Sequence, residues 1–305
     1  MTQSRKVDII KSKLQTFTPE EVVKNNIPIN NIIFKTDKPE LKWIEESTNS
    51  LADWRQRFLS TYARWAMSIN GLNLAHQKYS SPNFYQRMQF AVRSQRRMKE
   101  GGITRENIIV WDGKTAAEMH MQTVNYLSEY GIVDLYAALE DFVFHIYKIY
   151  LNAHPERLLQ GDEFRPLKRL FRDKDTSDEA KQAWETGWEE RLLNWQRRKL
   201  YDGLHKVFLA YCNDAGLKTP SHYKDTDPEK WADSIEFIGL IRNHLVHGAV
   251  KVNKALGEFS NDKPWIPDMF TEGDDLTLDL SHLEAVELFT AQICDALNFS
   301  LMERA

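Results

Sequence analysis

Cysteine is almost missing from this sequence, with only Cys212 and Cys294 in 305 residues. Two thiols cannot build a disulfide framework or a zinc cluster, which fits a reducing cytosol, and both are expected to act as small buried hydrophobes. Glycine, at thirteen, and proline, at ten, are scarce as well. Few turn formers between long mixed stretches favour helices over many short strands. The start of the chain has no apolar centre: Met1 to Leu14 carries Arg5, Lys6, Asp8, Lys11 and Lys13, so it reads neither as a secretory leader nor as a membrane span, and the expected location is cytoplasmic. A polycation's charge excess is lacking too. The net charge is −4, so any nucleic-acid contact has to be local. Phosphate-cradling glycine loops, Ser/His/Asp hydrolase patterns and paired-Cys motifs do not occur, which removes most ATPase and protease readings.

What remains is the profile of a folded globular protein: 42% hydrophobic and 28% charged residues, with nine Trp, eleven Tyr and fifteen Phe. The length allows one large domain or two modest ones. Residues Met1 to Lys42, with Pro19, Pro28 and Pro39, suggest an irregular arm or a small subdomain. Leu51, Trp54, Phe58, Tyr62, Trp65 and Ile69 then recur at helical spacing, with Asn49 or Ser50 as the cap. A second helix is expected from Phe84 to Lys99, ended by Gly101-Gly102, followed by a short extended stretch at Ile108 to Trp111. Asp112-Gly113 marks a turn before a helix from Thr115 to Tyr126.

Gly131 opens the more informative half. Leu135, Leu139, Phe142, Ile146 and Tyr150 form one apolar stripe over Val133 to Ala153, a first bundle helix. A longer helix is expected over Asp178 to Asn213, closed by Asn213 and Gly216. A third begins at Asp227-Pro228 and reaches about Ala249, and a fourth runs from Ser281 to Met302. Between those two, Pro264, Pro267, Gly273 and the alternation Leu276, Leu278, Leu280 suggest an irregular excursion with one short strand. The expected fold class is all-α, a four-helix bundle over 128–305 preceded by a mostly helical module over 1–127.

The third bundle helix ends in Arg242-Asn243-His244-Leu245-Val246-His247-Gly248. A permanent cation, an amide and an imidazole within two turns suit phosphate chemistry. At about 100° per residue, Asn243 and His247 lie about 40° apart on one face, whereas Arg242 and His247 are separated by about 140°. Asn243 can therefore orient His247. A pocket that uses Arg242 as well is easier to assemble between two packed copies of the helix, which predicts a two-fold dimer.

This grouping resembles the signature of the HEPN superfamily: Arg, a polar residue, a spacer of three to five residues, then His. Arg198 to His205 also meets its longest spacing, with Lys199 at the polar position, but it lies in the second bundle helix. Family domains carry the motif near the end of a later helix, and Gly248, the upstream Leu139-Glu140-Asp141-Phe142 and the Leu-rich lead into the last helix fit Arg242 better. The resemblance covers about 128–305. It implies a metal-independent endoribonuclease without cofactor, in which His247 accepts the ribose 2′-hydroxyl proton and Arg242 stabilises charge on phosphorus, while Asn243 fixes the imidazole or a phosphate oxygen. It further implies a homodimer with a composite site, RNA as substrate, Glu140 and Asp141 facing the site with Glu140 paired to Arg242, and a toxin–antitoxin or anti-phage setting with an antitoxin or other defence partner. In one arrangement of that family an antitoxin modifies a tyrosine two residues after the His. Here that position is Ala249.

Plainer roles compete with each of these. Arg242 alone could serve a helix-end salt bridge, His247 the helix dipole, and Glu140 and Asp141 a solvated face. His244 and His247 could share a metal only with further ligands, and no Cys, Asp or Glu at a nearby ligand spacing completes a site. His120, His145 and His205 read as structural. Two basic clusters, Arg87, Arg93, Arg96, Arg97, Lys99 and Arg191, Arg197, Arg198, Lys199, are read as solvated faces before RNA guides. The alternative function is a non-catalytic dimer that binds a nucleotide or scaffolds an assembly.

Overall fold

A computed structural model of the chain describes residues 32–263 and 270–305. Most of the proposed N-terminal arm, and Pro264 and Pro267, lie outside the described residues. The fold is all-α apart from one two-stranded ribbon. Its helices are α1 (Lys42–Tyr79), the single turn α2 (Pro82–Tyr85), α3 (Gly113–Ala153), α4 (Arg165–Asp173), α5 (Asp178–Lys199), α6 (Leu204–Ala215), α7 (Pro228–Val246), α8 (Lys254–Asp262) and α9 (Leu280–Arg304). Strands β1 (Gln89–Arg97) and β2 (Ile103–Asp112) separate α2 from α3.

The apolar stripe of α1 does what its spacing predicts: Leu51, Trp54, Phe58 and Ile69 are buried. The helix starts earlier than expected, after a 3-10 turn at Pro39–Leu41, so Asn49 and Ser50 lie inside it and cap nothing. It is about 57 Å long at 1.5 Å per residue, and α3 is about 62 Å. The two pack side by side over much of their length, α9 crosses both, and α6 and α7 cover the inner part of α3. Trp54, Phe58 and Phe142 form an aromatic knot with centroids 5.6 to 6.0 Å apart. On the other side of α3, Trp195 of α5 meets Phe144 and Tyr147 edge-on, and Trp188 donates to Asn152 at 2.8 Å. Cys212 and Cys294 are buried and unbonded, and desolvation pushes both thiols up, Cys294 to about 12.

Several expectations need correction. Gly131 opens nothing: α3 is one helix of 41 residues that runs straight through the expected boundary at 127/128. A Cβ on Gly131 would lie 2.9 Å from Leu283 and 3.2 Å from Trp65, so the glycine lets α9 and α1 approach the helix closely. A single apolar cluster joins Trp43 and Ile44 to Leu283 and Leu297. The helix expected over Phe84 to Lys99 is instead one turn followed by β1. Gly203, with φ near +89°, splits the expected Asp178 to Asn213 helix into α5 and α6. The excursion before α9 holds helix α8 and a lone bridge, Lys251 to Asp275, in place of a strand.

Candidate active site

Helix α7 is built as its sequence suggests. The Asp227 carboxylate accepts from the Lys230 N–H at 2.8 Å, and Pro228 occupies the first turn, where a missing N–H costs nothing. Phe237, Ile238 and Ile241 bury its inner face. The end is equally defined: the His247 N–H reaches the Asn243 carbonyl at 3.1 Å, and Gly248 takes φ near +67°, the left-handed conformation that closes helices. The Gly248 and Ala249 N–H groups then satisfy the carbonyls of Leu245 and His244 at 3.1 and 3.0 Å.

This ending separates the motif's residues. Asn243 and His247 are exposed, and Arg242 is half-buried. The Arg242 guanidinium donates to Asn243 Oδ1 at 3.0 Å and stands 5.8 Å from the centre of the Tyr136 ring on α3. Glu140, one turn further along α3, feels the same guanidinium. Burial raises its pKa above the ordinary carboxylate value, with Arg242 pulling it down and Asp141 adding to the rise. Burial likewise pushes Tyr136 up to about 12, with Glu140 adding and Arg242 opposing. Tyr136, Glu140 and Arg242 thus form one electrostatic group where α3 meets α7.

Asp141 and His244, which with Glu140 are the residues expected to support the site, stand elsewhere. Asp141 points toward α1, where Arg57 donates to it at 3.3 Å while lying 4.5 Å over the Trp54 ring. Adjacent helix positions are about 100° apart, so Glu140 and Asp141 cannot both face α7. His244 is buried, with 4% of its surface exposed. Its Nδ1 donates to the Leu240 carbonyl at 3.1 Å, and its Nε2 accepts from the Asn253 N–H at 3.1 Å. It therefore ties the returning loop to α7 and has no nitrogen left for substrate or metal. Its phase could have told this, since it continues the buried Phe237 and Ile241 face. Tyr136 was missed; its position four residues before Glu140 on one helix face was the available signal.

The loop that leaves the site is held by short backbone pairing. Leu276 donates to Val250 and Val252 to Asp274, each at 2.9 Å. Of the histidines read as structural, His120 bonds the Ala116 carbonyl at 2.6 Å, His205 approaches Glu236 at 3.7 Å, and the His145 ring lies 5.9 Å from that of Trp54. Arg198 is exposed on α5, a different helix from His205. Among the described residues no helix is long and apolar enough to cross a membrane. No family model matches the chain, and no curated protein or solved structure matches it.

Proposed function

We propose that the chain is a metal-independent endoribonuclease of the HEPN type, acting as a two-fold dimer whose α7 ends meet across a composite site. The observation that carries this reading is the division of labour at the end of α7. His244, the structural histidine, is buried and doubly bonded, while His247 is exposed beside Asn243 with Arg242 one residue before it. An exposed imidazole one turn after Asn243, whose side-chain oxygen accepts from the Arg242 guanidinium, serves no packing purpose, and it suits an incoming phosphodiester.

In this mechanism His247 takes the proton from a ribose 2′-hydroxyl. The resulting 2′ oxygen attacks the adjacent phosphorus, and the bond to the 5′ oxygen breaks, with that oxygen taking a proton from water. The products are a 2′,3′-cyclic phosphate and a 5′-hydroxyl end. Arg242 forks onto the equatorial oxygens as charge builds there. Tyr136 and Glu140 are positioning residues: the ring faces the guanidinium from the α3 side, and the Glu140 carboxyl, which makes no ion pair with Arg242 within 4 Å, acts on it through charge alone. DNA lacks the nucleophile and survives. Destruction of RNA by such an enzyme fits a toxin or anti-phage effector held in check by a partner protein.

A cavity of about 560 Å³ at the opposite end of α7, lined by His222, Lys224, Trp231, Ser234 and Phe289 among others, favours the second reading, a nucleotide-binding dimer that does not cut. Incubation of the protein with labelled RNA, with and without chelator, decides between them. Cleavage should survive chelator and fall by about 10²-fold or more in His247→Ala, the usual worth of a general base. Arg242→Ala should lose cleavage and stay dimeric by sedimentation. Intact RNA in every lane defeats the nuclease.

A further inference from the structure

Among the described residues, the ribbon formed by β1 and β2 packs little against the body. It sits on an aromatic joint at the outer tips of α1 and α3. Tyr79 stacks on Phe84 at 5.2 Å and meets Phe90 at 4.5 Å and His120 at 5.1 Å. Gly113 lets Tyr85 come so close that a Cβ there would lie 2.5 Å from the Tyr85 backbone. His76 Nδ1 and the Ala117 carbonyl, 3.0 Å apart, link the two helices just below. The base of the ribbon is therefore fixed, while from Ala91 to Val110 almost every residue is exposed. A two-stranded ribbon with neither face covered is marginal by itself in water, so this one gains most from a contact made at its surface.

Its register says what that surface is. Cross-strand partners share a face, and positions two apart along a strand do too. Arg93 pairs with Asn107, Gln95 with Arg105, and Arg97 with Ile103. Three guanidiniums, an amide from each strand and one isoleucine thus share the outer face, with no carboxylate on it. The one strand acid of this outer half, Glu106, pairs with Ser94 on the opposite face. Successive positions on that face repeat at about 7 Å along each strand, the scale on which phosphates follow one another along a nucleic-acid strand. Among the described residues Arg93, Arg97 and Arg105 form no ion pair; Arg93 only donates to the Arg105 carbonyl at 3.3 Å. From Lys78 to Lys114 the sequence holds eight basic and three acidic residues, whereas the chain as a whole is −4. A net excess of five positive charges therefore lies on a mostly exposed part of the molecule.

We propose that this ribbon face is an RNA-backbone clamp: Arg93, Arg97 and Arg105 each hold a phosphate, with Gln95 and Asn107 reaching sugar or base edges. Charge complementarity favours a polyanion over an apolar protein partner, and contact to phosphates gives grip without sequence choice. Gly113 and Tyr136 are 23 positions apart on α3, so the clamp begins about 35 Å from the Arg242 group, and it takes a part of the RNA remote from the scissile linkage. The identity of the ligand rests on the ribonuclease reading, but binding can be read without cleavage.

The test uses the full chain with His247→Ala, so that RNA stays whole, and a labelled oligouridine followed by fluorescence anisotropy at several KCl concentrations. Combining R93Q, R97Q and R105Q, all at exposed positions that should not disturb folding, should weaken binding about tenfold or more. It should also reduce the slope of log affinity against log salt by about 2, three phosphates at roughly 0.7 each on a single strand. The matching control, R165Q, R169Q and R172Q on exposed α4, should leave both unchanged. Equal losses from the two triple variants, or unaltered binding in the ribbon variant, overturn the clamp. So does a ribbon variant that binds RNA normally and changes only its sedimentation, since the face would then join copies of the chain. Ribbon-dependent binding by a parent protein that cuts no RNA upholds the clamp and defeats the nuclease.

Discussion

Helices α1 and α3 each pass through two environments. At their inner ends Trp43, Ile44, Phe58, Leu135, Leu139 and Phe142 are buried beneath α6, α7 and α9, with almost no surface left to solvent. At their outer ends the same helices expose Met67 by 69%, Leu74 by 57%, Tyr126 by 62% and Tyr130 by 63%. Backbone geometry does not change between the halves, so what differs is the number of neighbours. The inner half is packed from several sides, whereas the outer half is covered only where the two helices meet, through Ile69, Ala116, Ala117 and Val124. One region fixes the position of Arg242, and the other extends charge and apolar surface away from it.

The sharpest way to break this contrast is to cut equivalent amounts from each half. Phe142→Ala removes a ring wedged between Trp54 and Phe58 and should destabilise the protein by about 3–5 kcal/mol in denaturant unfolding, because the surrounding helices can collapse only partly. Leu74→Ala in the outer half should change the same measurement by no more than about 0.5 kcal/mol. A loss at Leu74 close to that at Phe142 would mean that the outer half is covered in solution and that the contrast is false.

A smaller effect probes the inner end alone. Glu45, in the first turn of α1, receives Lys42 at 2.9 Å and Lys35 at 3.2 Å, and these cations draw its carboxyl from 4.5 down to about 2. A lowered acid pKa adds stability that is present above the unfolded value and is lost as pH falls through the folded one. Unfolding curves between pH 4.5 and 2 should therefore steepen in the native protein and flatten slightly in Glu45→Gln. Identical curves would show that these surface pairs contribute nothing.

The same contrast explains which parts were legible in the sequence. The stripes of α1 and of the inner part of α3 could be read because one face of each is buried, and burial imposes a 3.6-residue rhythm. Asp227-Pro228 and Gly216 marked helix ends because their chemistry is local. The ribbon was hidden for the opposite reason. With both faces wet, β1 shows no alternation, and its Gln and Arg residues carry ordinary helix propensity. Gly131 misled because a glycine that admits a neighbour reads the same as one that ends a helix. At the candidate site, the motif gave Arg242, Asn243 and His247, and the phase of His244 with Phe237 and Ile241 carried its burial; the turning of Asp141 toward Arg57 was not legible, since it depends on which helix lies alongside.

The unbroken run of α3 has a practical consequence for anyone cutting this gene. A fragment beginning at residue 128 would start in the middle of a rod and lay bare the side of Leu135, Leu139 and Phe142 that α1 now shelters; the complementary fragment would lose its floor. Any cut or join made at that point has to keep a helix in phase.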